Sequence, residues 1–206
     1  MNKKGFEISA GFIVTLIIVI VVFIGSIYFI KMFFFKAEEL KAEIERSTQE
    51  EIESLLQEGS LVALPINAKD IKTGRTETFG LGVRNIGNTK GFNVVVNFNK
   101  AIDSSGNVIF DDSYADFIND NWVLYDTNEF FLDSNKLKVI PIAVKPDFYV
   151  QQGESTIPGT YLFNVCVFVD QGVVSSDLCS VDAFKFSTDK KEYYTKKMYS
   201  LMVKVI

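Results

Sequence analysis

Hydrophobic and polar positions change their period twice along this chain. Phe12 to Ile30 is an apolar run with no charged residue, interrupted by Thr15, Gly25, Ser26 and Tyr28. As a helix it would be roughly 28 Å long, about the thickness of a bilayer's hydrocarbon core. That predicts a membrane span over residues 6–35, with Phe33, Phe34 and Phe35 beside Lys31 and Lys36 as an interfacial collar. From Lys36 to Glu58 the pattern becomes amphipathic. Leu40, Ile44, Thr48, Ile52, Leu55 and Leu56 recur every three to four residues, and Glu39, Glu43, Glu50 and Glu53 lie elsewhere. This predicts a helical extension stopped by Gly59. Its stripe is either a docking face for the rest of the chain or a seam with other copies. Ser47, Thr48 and Glu51 interrupt the heptads that a coiled coil would need.

At Ser60 the period switches to two. Strands are predicted at 61–66, 76–84, 92–98, 108–110, 122–125, 129–132, 137–144, 160–169, 180–186 and 199–206, the two around Trp122 and Glu129 being the weakest. Phe79, Leu81 and Val83 fall on one face of their strand and Gly80 and Gly82 on the other. Phe92, Val94, Val96 and Phe98 alternate with Asn93, Val95, Asn97 and Asn99 in the same way. Asn85–Asn88, Asp103–Asn107 and Pro158-Gly159 mark turns. Some seven to nine short antiparallel strands at this spacing argue for a β-sandwich over residues 59–206.

Charge sharpens the division. The net charge is −5, and residues 36–58 hold all of it, with eight Glu against Lys36, Lys41 and Arg46. No basic face exists for nucleic acid. Histidine is absent, which removes Ser-His-Asp and Cys-His catalysis, His-liganded zinc and an imidazole switch. Two cysteines are too few for a thiolate zinc site. No cofactor is expected, and an enzyme would have to work with carboxylates alone.

Two stretches resemble known families. Lys3-Lys4-Gly5-Phe6-Glu7 followed by the apolar run resembles the class III signal of type IV pilins and archaeal pilin-like proteins. The resemblance covers about the first 30 residues. It implies that a membrane peptidase cuts after Gly5, making residues 1–5 a leader and Phe6 the new N-terminus; an uncleaved signal anchor with a short cytoplasmic tail is the alternative. Bacterial members usually carry Glu at the fifth mature position, whereas Glu7 would be second and Ala10 fifth. The pairing of that Glu with a neighbour's terminal amine is therefore not implied here. Phe79–Gly87, Phe92–Phe98 and Pro158–Phe163 are similar to immunoglobulin-like modules of archaeal and bacterial surfaces. That implies a sandwich and no activity by itself.

Candidate chemistry is sparse. Gly80-x-Gly82 lacks the third glycine and the helix of a dinucleotide fingerprint. Asp111, Asp112, Asp116 and Asp120 offer oxygen ligands suited to calcium, but without the spacing of a known loop they read as a solvated loop. Tyr114, Phe117 and Trp122 make residues 111–131 the candidate contact surface. Cys166 and Cys179 either pair, closing a loop of about a dozen residues, or remain two thiols in half-buried strands.

The expected fold class is α+β and membrane-anchored: one long N-terminal transmembrane helix with a helical extension, then an all-β immunoglobulin-like antiparallel sandwich. The expected protein is a single-pass, non-enzymatic protein of the cell membrane with its sandwich outside the cytoplasm. Its partners would be the lipid bilayer and either other copies or envelope and appendage proteins. It reads as a pilin-like or appendage-associated structural subunit, or as an envelope-anchored binding or adhesion module that forms no filament.

Overall fold

The computed structural model describes residues 14–23, 46–172, 174–187 and 192–206. They belong to two units, 1–42 and 43–206, each described by itself. In the first, helix α1 covers residues 14–23, with every side chain exposed. At 1.5 Å per residue α1 is about 15 Å long, half of what a bilayer core requires. Among the described residues no helix is long and apolar enough to cross a membrane. The expected membrane-anchored architecture built on one long transmembrane helix is corrected on this ground: no described helix reaches the length of a span. The rest of that expected span, 6–13 and 24–35, and the first part of the expected extension, 36–45, lie outside the described residues.

The second unit is a β-sandwich with short added helices. Sheet A runs β1 (Val62–Ala63), β3 (Glu77–Arg84), β8 (Leu137–Val144), β6 (Val123–Leu124). Sheet B runs β2 (Ala68–Ile71), β12 (Tyr199–Val205), β11 (Gly159–Val169), β4 (Lys90–Ile102), β5 (Val108–Phe110), and β7 (Phe130–Leu132) also pairs with β4. A small hairpin joins β9 (Tyr149–Gln151) to β10 (Glu154–Ser155). The pairing is antiparallel except for β2 on β12, which is parallel. The all-antiparallel expectation is corrected at that one pair. The chain leaves sheet A after β1 and enters sheet B at β2, and Pro65 lies in the step between them.

Period-two alternation builds the core. Phe79, Leu81 and Val83 of β3 and Ile140, Ile142 and Val144 of β8 face Val94, Val96 and Phe98 of β4, Phe163 and Val165 of β11, and Leu201 and Val203 of β12. The strand β4 carries one extra residue, Asn99, between the pairs Lys100↔Leu162 and Phe98↔Phe163. The inward face therefore shifts parity, from Phe98 to the buried Ala101.

Sheet A's outer face is covered by α2 (Arg46–Gln57). Ile52 and Leu56, four residues apart on one helix face, pack with Ala63, Leu137 and Val139. The approach is so close that a Cβ on Gly82 would collide with Ile52 and lie 2.8 Å from Leu56 Cδ1. Gly59, at φ +117°, ends the helix, and Ser60 N–H reaches back to the Leu55 carbonyl at 3.1 Å. Arg84 Nη1 donates to the Leu56 carbonyl at 2.6 Å.

Candidate functional site

The expected contact surface, residues 111–131, forms a turn, a helix and two short strands, with Leu124 and Phe131 exposed. Asp111 caps the turn η1 (Asp112–Tyr114) by accepting from Ser113 N, and α3 (Ala115–Trp122) follows. Trp122 is corrected from contact residue to core: it is 2% exposed, donates Nε1–H to the Tyr149 carbonyl at 3.0 Å, and its ring lies tilted at 46° to that of Tyr161, 4.9 Å away. The physical reason is helical spacing, which sends Ile118 and Trp122 inward together. Tyr114 is half-buried 5.0 Å from Phe110, and its hydroxyl donates to Glu154 Oε2 at 3.0 Å. That bond, with burial and the Glu154 charge, pushes the Tyr114 phenol up from its ordinary value. Phe117 is half-buried on the same helix.

What this segment does is close an edge. Between β7 and β5, no strand among the described residues neighbours β4 on that side. There Tyr125 Oη accepts from Val96 N at 3.1 Å, and Asn119 Oδ1 accepts from Phe98 N at 2.8 Å. Asn119 Nδ2 then donates to Asn97 Oδ1 at 2.7 Å. Burial pushes the Tyr125 phenol up. Side chains satisfy here the backbone amides that a strand would otherwise take.

Sheet B's outer face carries the second feature. Cys166 of β11 and Cys179, at the end of η2 (Ser176–Cys179), are joined with S–S 2.01 Å and Cα–Cα 5.7 Å. The carbonyl of Cys179 accepts from Asn164 Nδ2 at 3.2 Å and from Asn97 Nδ2 at 3.5 Å. The short helix α4 (Val181–Phe186) follows, its N-terminus capped by Ser180 Oγ accepting from Ala183 N at 3.1 Å. Ser180–Phe186 is therefore corrected from strand to helix. A cleft of ≈ 260 Å³ opens between η1–α3 and η2–α4, with Asn97 and Asn164 among its lining and Asp112, Asp116, Asp177 and Asp182 around it. Each of these carboxylates sits in or beside the first turn of a short helix, where negative charge suits the exposed N–H groups. Among the described residues no three acidic or thiol side chains are placed to hold a metal ion.

Lys3, Lys4, Gly5, Phe6 and Glu7 lie outside the described residues. The residues that sequence reasoning missed are Asn97, Asn119, Tyr125 and Asn164. Asn97 and Asn164 sit on strand faces opposite the apolar ones, yet both are buried. The signal available was the cysteine beside them, since Cys166 shares the outer face with Asn164.

No family model matches the sequence, and no curated protein does. Among solved structures the chain is similar to the ASH/PapD-like domain of human CEP192, at 14% identity and TM-score 0.40, over 71% of this chain and 85% of that one. It is similar to the CARDB domain of a Pyrococcus furiosus protein in complex with di-metal ions, at 13% and 0.32, over 70% and 84%. It is also similar to the CooA pilin subunit from enterotoxigenic Escherichia coli, at 11% and 0.30, over 70% and 94%. No functional conclusion follows from likenesses this distant.

Proposed function

We propose that the protein is a non-enzymatic structural subunit of a pilus-like appendage, displayed outside the cytoplasm and assembled through its N-terminal helix. The observation that supports this reading is α1. Its aliphatic and Phe side chains are 49–66% exposed, and Ile17 and Val19, about 200° apart around the helix, are both uncovered. A helix apolar on every side needs to be covered, and covering each Val or Ile contributes on the order of 1.5–3 kcal/mol. Other copies of α1 provide that cover in an assembly. The Lys3–Glu7 resemblance supports the same reading, with Gly5 as the processing site. The Cys166–Cys179 disulfide suits an oxidising exterior. The sandwich itself is guarded against strand addition: β1 and β6 are two residues long, β5 and β7 three, and β2 carries Lys69 and Asp70.

The test is to purify the full chain in mild detergent, withdraw the detergent, and follow mass by light scattering and shape by electron microscopy. Regular multimers are expected. Ile17→Lys with Val21→Lys should abolish them without moving the melting of the sandwich. A monodisperse monomer after detergent withdrawal would overturn the appendage reading and favour a lone binding module of the envelope. The N-terminus in native cells should begin at Phe6, and Gly5→Val should prevent that; an intact Met1 or Asn2 terminus in cells containing the peptidase removes the processing step.

A further inference from the structure

Residues 174–187 lie over the outer face of sheet B, and their described hydrogen bonds to the body of the sandwich converge on one point. Asn97 and Asn164 both donate to the Cys179 carbonyl, and Tyr193 Oη donates to the neighbouring Leu178 carbonyl at 2.6 Å. Val174 and Phe184 pack on a small cluster of Val95, Cys166, Phe168, Cys179 and Tyr193, separate from the main core. The helix α4 leans on η2, and Ser187 at its end bonds Glu192. The bonds to Leu178 and Cys179 and the packing on the small cluster surround the disulfide. Sheet B itself is held by the pairing of β11 with β4 and β12, and Tyr194 is tied to the sandwich independently of the disulfide, its N–H bonding the Val167 carbonyl at 2.8 Å and its Oη the Arg84 carbonyl at 2.6 Å.

We infer that η2 and α4 form a redox-operated latch, closed by the Cys166–Cys179 bond and released when that bond is reduced. A dithiol supplies two electrons and two protons and becomes a disulfide itself, leaving Cys166 and Cys179 as two thiols. Release uncovers Val95, Asn97, Asn164 and the Cys166 thiol. It also removes Asp177, Ser180, Val181 and Asp182 from one wall of the acidic cleft. The oxidised protein presents the cleft and the reduced protein presents the strip. The main core lies on the opposite face of β4 and β11 and is not part of the device.

Hydrogen exchange on the detergent-solubilised full chain tests this, comparing the native protein with Cys166→Ala/Cys179→Ala. Amides within 174–187 should exchange at least about tenfold faster in the variant, while those of β4 and β11 keep their protection. Equal protection of 174–187 in both forms would overturn the latch, because the segment would then hold itself. Loss of protection spreading through β4 and β11 would also overturn it, making the disulfide a staple of the whole sandwich. If the variant does not fold, the native chain is treated with a dithiol and then iodoacetamide while the emission of its single tryptophan, the buried Trp122, is followed. Alkylation of Cys166 with unshifted emission supports the latch; alkylation that appears only with a red shift overturns it.

Discussion

The two sheets of the sandwich are each covered on the outside by an added helical segment, and the two covers are held by different physics. Over sheet A, α2 is fixed by apolar contact at a distance that tolerates no side chain at Gly82. Over sheet B, η2 is fixed by a covalent bond and amide donors, with Asn97 and Asn164 turned to one carbonyl, and α4 adds the packing of Phe184 on Tyr193. Apolar burial is spread over many atoms and survives the loss of any single one in proportion to the area lost. A polar hold concentrates at a few groups and responds to chemistry, to reductant above all.

The widest gap between the two covers is expected at Leu56. Leu56→Ala should lower stability by roughly 3 kcal/mol, the cost of a buried leucine plus the cavity it leaves. Denaturant melting of the full chain in detergent checks it, and a loss no larger than that of the polar variants below would erase the contrast. Gly82→Val should cost about 2 kcal/mol through overpacking, and Ile52→Ala combined with it should recover part of that loss. Asn119→Ala should cost about 1.5 kcal/mol, because it strands the buried Phe98 amide. Asn164→Ala should cost less, since Asn97 still donates to the Cys179 carbonyl.

The core between the two covers has its own signature in alkali. Burial among Trp122, Phe98 and Phe110 accompanies a Tyr161 phenol raised from 10.0 to about 12, against the lowering bond from Ile157. Below pH 10 the phenol is neutral in both the folded and the unfolded chain, and this group leaves stability unchanged. As pH rises from 10 towards 12 the unfolded chain ionises first, so stability falls. Tyr161→Phe should flatten that fall in melting temperature; an unchanged slope would assign it to other tyrosines.

The difference between the covers also explains which parts were readable in advance. Apolar periodicity located α2, from Thr48 through Ile52 to Leu56, and the inward faces of β3, β4, β8, β11 and β12, because burial there follows spacing. It failed where polar chemistry decides. Val181–Phe186 is short and rich in apolar residues, which suits a strand as well as a helix, but Ser180 at the N-cap and Asp182 in the first turn start a helix. Residues 111–122 looked like a solvated acidic loop, and the Asp111 cap together with the Ile118–Trp122 spacing makes a helix of them. The long apolar run predicted a span, and a described helix of residues 14–23 does not reach that length. The β2 strand, Ala-Lys-Asp-Ile, escaped notice because an edge strand shows little apolar alternation.

The parallel pairing of β2 with β12 has a mechanical consequence. Ala68 to Ile71 lie beside Met202 to Val205 in the same direction, so the entering end of one strand and the leaving end of the other are at opposite ends of the pair. A pull that reaches the N-terminal end of β2 and the C-terminal end of β12 loads this pair from opposite ends. There it acts along the strands, straining the interstrand hydrogen bonds together instead of breaking them one after another. Asp70 and Lys204, 3.9 Å apart across the same pair, are loaded with them. Shear across this pair therefore has to break several interstrand hydrogen bonds at once, whereas a pull that opened an antiparallel hairpin would meet them singly.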